Sequence, residues 1–502
     1  MATNGRLNIV RNFVSGVHLL AATATIALFA TLTTFAQNTG TQPSTQNIEE
    51  LRQRLAELEK EVQALRQSVT QLEEQQMRAT QTAAAPPTQQ PAGTAGGQGQ
   101  AQQTRPITDL AKQDMVKRDR ETVPRIDNKP VDPELTGFFR IPGTPSKLKI
   151  DGYAKLDVMI DPRPAGDPDE FITTTIPVNL TPSQKVVSSN VIFRESRINL
   201  DFRTPVKEGV DFRFFAEIDF FGVGGPTDPR LRHLYGQVLN VLTGHTWTTF
   251  TDPDTIPDTL DDEGPAGRIS TRQAQFRYTQ PFSRYHSLAF SIERPGVEAR
   301  DITLGGGPYS PAPDFVARYR YERERWHMQL GSLYRVLGFR SPVAEDKAFG
   351  WGLNFAAGIL FFKRDNLLLN ATYGEGIARY ISNLDALELD FDLNNEGTAI
   401  KALPVIGGYA AYEHHWTEQL RSTVAFGYDR IQNTALQPPE AFNKSYYASG
   451  NLIWRPYKQF RHFTIGAEFL YGWQKLKDGS EGAGNRVQVS LKYDLYRKPK
   501  EP

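Results

Sequence analysis

Residues 197–203 read Arg-Ile-Asn-Leu-Asp-Phe-Arg, and residues 211–220 read Asp-Phe-Arg-Phe-Phe-Ala-Glu-Ile-Asp-Phe. In the first run Ile198, Leu200 and Phe202 alternate with Arg197, Asn199, Asp201 and Arg203, which gives a strand one apolar face and one charged face. In the second, Phe212, Phe214, Ala216, Ile218 and Phe220 lie opposite Asp211, Arg213, Glu217 and Asp219, with Phe215 as the exception. Residues 204–209 read as the turn between them, so the pair is a hairpin.

Alternation alone also suits a soluble antiparallel sheet that turns its apolar side to a core. What separates core from lipid is the number of such strands and what else in the chain could cover them. After residue 150 no strong amphipathic helix follows, so a soluble reading would need two sheets covering each other over about 350 residues. A single sandwich usually takes roughly 100 to 250. A transmembrane barrel needs no protein cover, because lipid covers it.

Composition fits that choice. The chain has 502 residues, of which 23% are charged and 39% hydrophobic. No apolar run of helical spanning length follows the N-terminus. In a barrel with a wet lumen only every second strand residue meets lipid, so low hydropathy does not exclude the membrane. The 29 Phe and 19 Tyr suit the aromatic girdles of barrel interfaces. With no Cys, disulfides and thiolate metal sites are excluded. Without the first 36 residues, 55 basic residues stand against 57 acidic ones, a net charge of −2. That is not the balance of a nucleic-acid binder, and any functional charge must be local.

Residues 1–36 have the form of a secretory signal peptide: Arg6 and Arg11, an apolar stretch, then Thr34-Phe35-Ala36 as a cleavage site. An uncleaved membrane anchor is the alternative. Residues 46–78 predict an α-helical coiled coil, with Ile48, Leu55, Val62 and Val69 at a and Leu51, Leu58, Leu65 and Leu72 at d. Arg54 with Glu59, and Glu61 with Arg66, suit parallel helices in register. β-branched a with Leu d leans towards dimers, and Leu55 at a blurs that preference. A lone helix packed on the barrel is the competing reading. Residues 79–106 are a flexible linker of Ala, Gln, Gly, Thr and Pro. Residues 107–147, rich in Pro and charge, read as an irregular periplasmic or plug segment.

From residue 148 to residue 497 the pattern predicts an all-β transmembrane barrel of about sixteen antiparallel strands, an even number as bacterial barrels have. The expected strands are 149–160, the two of 191–221, 230–240, 242–250, 273–278, 288–293, 315–322, 326–336, 350–361, 366–374, 405–415, 421–431, 445–456, 463–474 and 486–496. Their connections alternate between short and long. The long ones are 161–190, 251–268, 295–313, 339–348, 376–403 and 432–444. The acidic stretch 251–263 is a candidate for a constriction loop folded into the lumen, and a solvated outer loop is an equal reading.

An Arg on the lipid face near the midplane costs roughly 2–4 kcal/mol. Arg197, Arg203, Arg213, Arg277, Arg318 and Arg320 therefore belong inside. Arg230, Arg232 and Arg272 are candidates to join them, although Leu234 shares a face with Arg232 and that strand could instead lie against another subunit. Guanidinium groups along a water-filled constriction attract carboxylates, sulfates and phosphates. The competing reading is that they pair with Asp201, Asp211, Glu217, Asp219 and Glu322 and merely brace the wall. No G-x-S-x-G, H-E-x-x-H or phosphate-loop pattern is present, no cofactor is implied, and His414-His415 beside Trp416 fits a girdle better than a metal site.

Several segments in order resemble the DcaP-like outer-membrane porins: Gly152-Tyr153-Ala154-Lys155-Leu156-Asp157, Ser196-Arg197, Arg203-Thr204-Pro205, Glu217-Ile218-Asp219-Phe220-Phe221-Gly222, Arg230-Leu231-Arg232-His233, Gly244-His245-Thr246-Trp247-Thr248-Thr249-Phe250, and Gly264-Pro265-Ala266-Gly267 before Arg272-Gln273 and Arg277-Tyr278. The resemblance covers residues 150–295 by motif and the rest by strand pattern. It implies a homotrimer of sixteen-stranded barrels in outer-membrane lipid, each with a periplasmic coiled coil, admitting small anionic solutes such as dicarboxylates. It also implies a pore-lining role for Arg197, Arg203, Arg230, Arg232, Arg272 and Arg277. The chain departs from the family in its long linker and in running on past Tyr496. The competing functions are an outer-membrane anchor or adhesin with a coiled-coil stalk, and an outer-membrane hydrolase. Contact of the coiled coil with peptidoglycan is a further possibility.

Overall fold

The computed structural model describes residues 137–207, 210–302, 306–362, 364–457 and 462–495. They belong to the second of two compact units, Thr104–Pro502. The expected signal peptide, coiled coil and linker, and most of the segment 107–147, lie outside them.

Sixteen long strands form the wall: β1 (Lys147–Arg163), β2 (Arg197–Lys207), β3 (Val210–Asp219), β4 (Arg230–Val238), β5 (Val241–Trp247), β6 (Arg272–Pro281), β7 (His286–Glu293), β8 (Asp314–Glu322), β9 (Trp326–Arg340), β10 (Glu345–Phe361), β11 (Asp365–Glu375), β12 (Pro404–His415), β13 (Leu420–Ile431), β14 (Phe442–Trp454), β15 (Phe463–Leu476) and β16 (Glu481–Asp494). Each pairs antiparallel with the next, and β16 returns to β1 from Asp494 opposite Tyr153 to Asn485 opposite Arg163. The sheet is closed and has no edge to protect. At the seam Arg486 donates to both oxygens of Asp161 at 2.8 and 3.0 Å, and Gln488 donates to Asp157 at 3.0 Å. Three short pieces extend the wall: Phe139–Arg140 and Ser188–Ile192 on β1, and Gly307–Tyr309 on β9.

The alternation read from sequence is the alternation of the wall. Ile150, Leu156, Val158 and Ile160 of β1 are exposed on the outside, while Lys155, Asp157 and Asp161 are buried inside. On β16 Val487, Val489 and Leu491 point out and Arg486, Gln488 and Ser490 point in. Phe215, the exception in its run, is buried and packs with its ring centroid 5.6 Å from that of Tyr235. A one-residue slip would exchange these faces, so the register is fixed by the membrane itself.

Three expectations are corrected. Residues 204–209 are not all turn, because β2 runs on to Lys207, which pairs with Val210. Residues 339–348 are not a long loop: β9 and β10 continue as a ladder to Arg340 and Glu345. The ambiguity at Leu234 dissolves because the register shifts at this point, with Glu217 opposite His233 but Ile218 opposite Leu231. Arg232 is the extra residue of a β-bulge, so Arg232 and His233 are both buried while Leu231 is exposed.

The outer half of the lumen is not simply wet. Residues 376–403 fold inward, and Ile377, Tyr380, Ile381 and Leu384 join Phe250, Ile269 and the wall residues Val316 and Leu333 in one apolar cluster. Residues 164–187 bring in Phe171 and Ile176, which pack with Tyr447 and Leu470. These clusters explain why inward faces of β9 and β15 carry Leu where a water-filled channel would predict polar residues.

Candidate functional site

β5 ends at Trp247 and β6 begins at Arg272, and the residues between them turn into the barrel. The inward faces of distant strands hold this loop. Arg320 on β8 donates to Asp252 at 2.8 Å and to Asp254 at 2.5 Å, and His327 on β9 lies 3.0 Å from Asp252. Thr255 meets the Tyr409 hydroxyl at 3.1 Å. Arg421 donates to Asp258 at 2.5 Å, Leu260 donates its N–H to Glu468 at 2.5 Å, and its carbonyl accepts from Gln488 at 2.9 Å. Asp262 reaches Arg197 at 2.7 Å. The acidic stretch is therefore a constriction loop and not a solvated outer one. Gly267, at φ +82°, allows its closest approach: a Cβ there would stand 2.2 Å from the Gly408 nitrogen.

Within the loop, charge depends on company. Burial works against ionisation of Asp262, but Arg232, Arg197 and Arg230 outweigh it and hold its pKa well below the ordinary range. Asp261 is pushed up to about 7 by burial, against the pull of Arg486 and hydrogen bonds from the Phe171 and Gly264 N–H groups.

The wall facing the loop carries the arginines. Arg197, Arg230 and Arg232 share Glu217, Asp219 and Asp262, at 2.6–3.5 Å, so three cations meet three carboxylates. Arg203 and Arg213 share one carboxylate, Asp201, at 2.6 and 2.8 Å. Arg277 donates to the Trp247 carbonyl at 2.6 Å and to Gln275 at 3.0 Å, both neutral. Among the described residues, neither Arg277 nor Arg318 has an ion-pair partner, and the Arg318 Nε is buried without a hydrogen bond. Arg320 is the opposite case, enclosed by Asp252, Asp254 and Glu322. Its guanidinium bonds both aspartates of Asp252, Asp254 and His327, the one carboxylate and histidine group among the described residues close enough to hold a metal ion.

Ladder registers align these groups. Arg203 stands opposite Arg213, Arg213 opposite Gln237, Gln237 opposite Leu242, and Leu242 opposite Arg277. Three arginines thus lie in one row across β2 to β6. Arg272 pairs with Trp247 and lies 4.6 Å over its buried ring, next to Gln273, whose side chain bonds Glu293 and Tyr380 inside. The charges nearest its guanidinium are those of the lumenal Arg232, Arg230, Asp262 and Arg197.

A family model described as DcaP outer membrane protein matches residues 140–495. The chain belongs to the DcaP outer membrane protein family. The crystal structure of the outer membrane channel DcaP of Acinetobacter baumannii matches with a TM-score of 0.62 at 21% identity, covering 71% of this chain and 99% of that one. An anion-selective porin from Comamonas acidovorans scores 0.46 at 11% identity, covering 70% and 100%. Salmonella typhi OmpF in complex with daunomycin scores 0.46 at 8%, covering 71% and 100%. No curated protein matches the chain in sequence. As a DcaP-family barrel the protein is an outer-membrane channel.

Sequence reading of this DcaP-family wall missed Arg335, Arg421, Arg486 and Lys155, all of which point inward. Arg486 could have been found from its parity with Gln488 and Ser490. Arg335 is hidden between Leu333 and Leu337, which share its face and look like a lipid row. His414 lies 2.8 Å from Asp365, with its ring 4.4 Å from that of Trp416, beside the short connection at 416–419.

Proposed function

We propose that the barrel is a passive diffusion channel favouring small anionic solutes such as dicarboxylates, with no energy coupling. The observation that carries this reading is the row of Arg203, Arg213 and Arg277, in which Arg203 and Arg213 share Asp201 and Arg277 has only neutral hydrogen-bond partners among the described residues. Guanidinium groups bind carboxylates through two donors and keep their charge at any physiological pH. The surrounding low-dielectric wall strengthens their field. The loop's carboxylates are largely matched by Arg197, Arg230, Arg232, Arg320 and Arg421. The bracing reading thus describes part of the arginine set, and the rest supplies the selectivity.

The assembly belongs to the same proposal. His245 and Arg294 sit on the outward face of β5 and just past β7, joined through Ala274. Polar and charged groups there suit contact with further copies of the chain better than contact with lipid. A homotrimer satisfies this, with residues 46–78 as its periplasmic coiled coil.

Single-channel recording in a planar bilayer under a salt gradient tests the selectivity. The reversal potential is expected on the anion side, and Arg203→Ala with Arg213→Ala, which leaves Asp201 bare, should move it towards cations. An unmoved reversal potential would refute the arginine reading.

A further inference from the structure

The outer surface carries an arrangement the channel does not use. The ladders set Arg430 on β13 opposite Lys444 on β14, and Lys444 opposite Lys475 on β15. All three share the face of Phe426, Leu452 and Phe469, which are exposed on the outer wall. They stand within two residues of the strand ends at the long-loop side, the extracellular side of a bacterial barrel. Like charges directly opposite one another weaken a sheet, so three in succession call for a shared anion. None has an ion-pair partner among the described residues. Glu481 stands across from Lys475 in the ladder without coming within ion-pair distance of it.

One step further into the membrane lies a second row of Tyr428, Tyr446 and Trp473, with successive ring centroids 5.0 and 5.4 Å apart. The Lys444 Nζ lies 5.7 Å over the Trp473 ring. Next to Tyr428 the wall is hollow. Ser332, Ala371, Gly408 and Ala410 present small groups between Phe355, Tyr373 and Phe426, leaving an apolar groove of about 970 Å³.

A cation row at headgroup height, an aromatic row at the interface and an apolar hollow beside it match the parts of one molecule. We propose that this wall holds a phosphate-bearing, multiply acylated glycolipid of the outer leaflet. Its phosphate lies across Arg430, Lys444 and Lys475, its sugar against the Tyr428–Tyr446–Trp473 row, and acyl chains fill the groove. The three cations offer charge-assisted hydrogen bonds that no carboxylate among the described residues accepts. Long basic side chains reach the interface while their stems stay on apolar surface. A free phosphate would use the cations alone and leave the aromatic row and the groove without a role.

The test is native mass spectrometry of the purified full-length protein in detergent, with diphosphorylated lipid A, dephosphorylated lipid A and inorganic pyrophosphate added separately. Diphosphorylated lipid A should be retained, and the triple variant Arg430→Gln/Lys444→Gln/Lys475→Gln should bind it about a hundredfold more weakly, at about 1 kcal/mol per cation. Ala371→Trp, which fills the groove from outside, should weaken it independently. Equal retention of the phosphorylated and dephosphorylated lipids by the unaltered protein would overturn the proposal, even if the triple variant failed to fold. Pyrophosphate bound as tightly as lipid A would make this a free-phosphate site, and loss of oligomers in the triple variant would make it a protein interface. Either result also overturns it.

Discussion

The Asp261 carboxyl group contributes to a pH dependence. Asp261, pushed up to about 7 by burial, takes up a proton in the folded protein as pH falls from 8 to 6, well above the usual carboxylate range near 4. Above pH 7 it adds a negative charge to the constriction loop, so anion preference is expected to weaken as pH rises through 7. Asp261→Asn should flatten that part of the reversal-potential profile. A slope that survived the substitution would assign the titration to another group. Residue identity alone could not have shown this, because Asp261 and Asp262 are neighbours in the sequence with opposite surroundings. The arginines were more legible: Arg203, Arg213 and Arg277 follow directly from alternation. The inward turn of Arg232 rests on a bulge that no local pattern announces.

At the scale of elements, strands were legible because lipid imposes one apolar face on each of them, and all sixteen lie where alternation placed them. Connections were less so. Whether residues 251–263 fold inward depends on Arg320, Arg421, Gln488 and Arg197, partners 65 or more positions away in the sequence, and nothing local to the loop names them. The loop's close fit can be measured. Gly267→Ala meets both an unfavourable φ and the Gly408 backbone, a strain of order 1–3 kcal/mol. Its expected result is a loosened constriction, seen as larger or flickering single-channel conductance with the barrel still folded. A channel with unchanged conductance would show that the loop tolerates displacement at that point.

For the whole molecule, the question is how chains associate. Lipid-exposed apolar rows run round the wall, and on the short-strand side of β4 to β7 His245 and Arg294 interrupt them. If the heptads at 48–72 also staple the proposed trimer, deleting residues 48–76 should lower the temperature at which oligomers dissociate on electrophoresis in detergent. An equally heat-resistant oligomer would leave the barrel walls as the sole source of association and make the helix a spacer. Reversing one charge on the wall, as in Arg294→Glu, should weaken the oligomer without unfolding the monomer.

The loop of residues 248–271 grips β2 through Asp262 and Arg197, and grips β16 through the Leu260 carbonyl and Gln488. Those strands flank β1 on either side, so the loop spans the place where the barrel's first and last strands meet. During biogenesis its docking site is complete only when that last pairing has formed. Insertion into the membrane and setting of the pore's width are then one event in time. A half-assembled cylinder would offer a protease the peptide bonds of this loop, and a finished one would hide them.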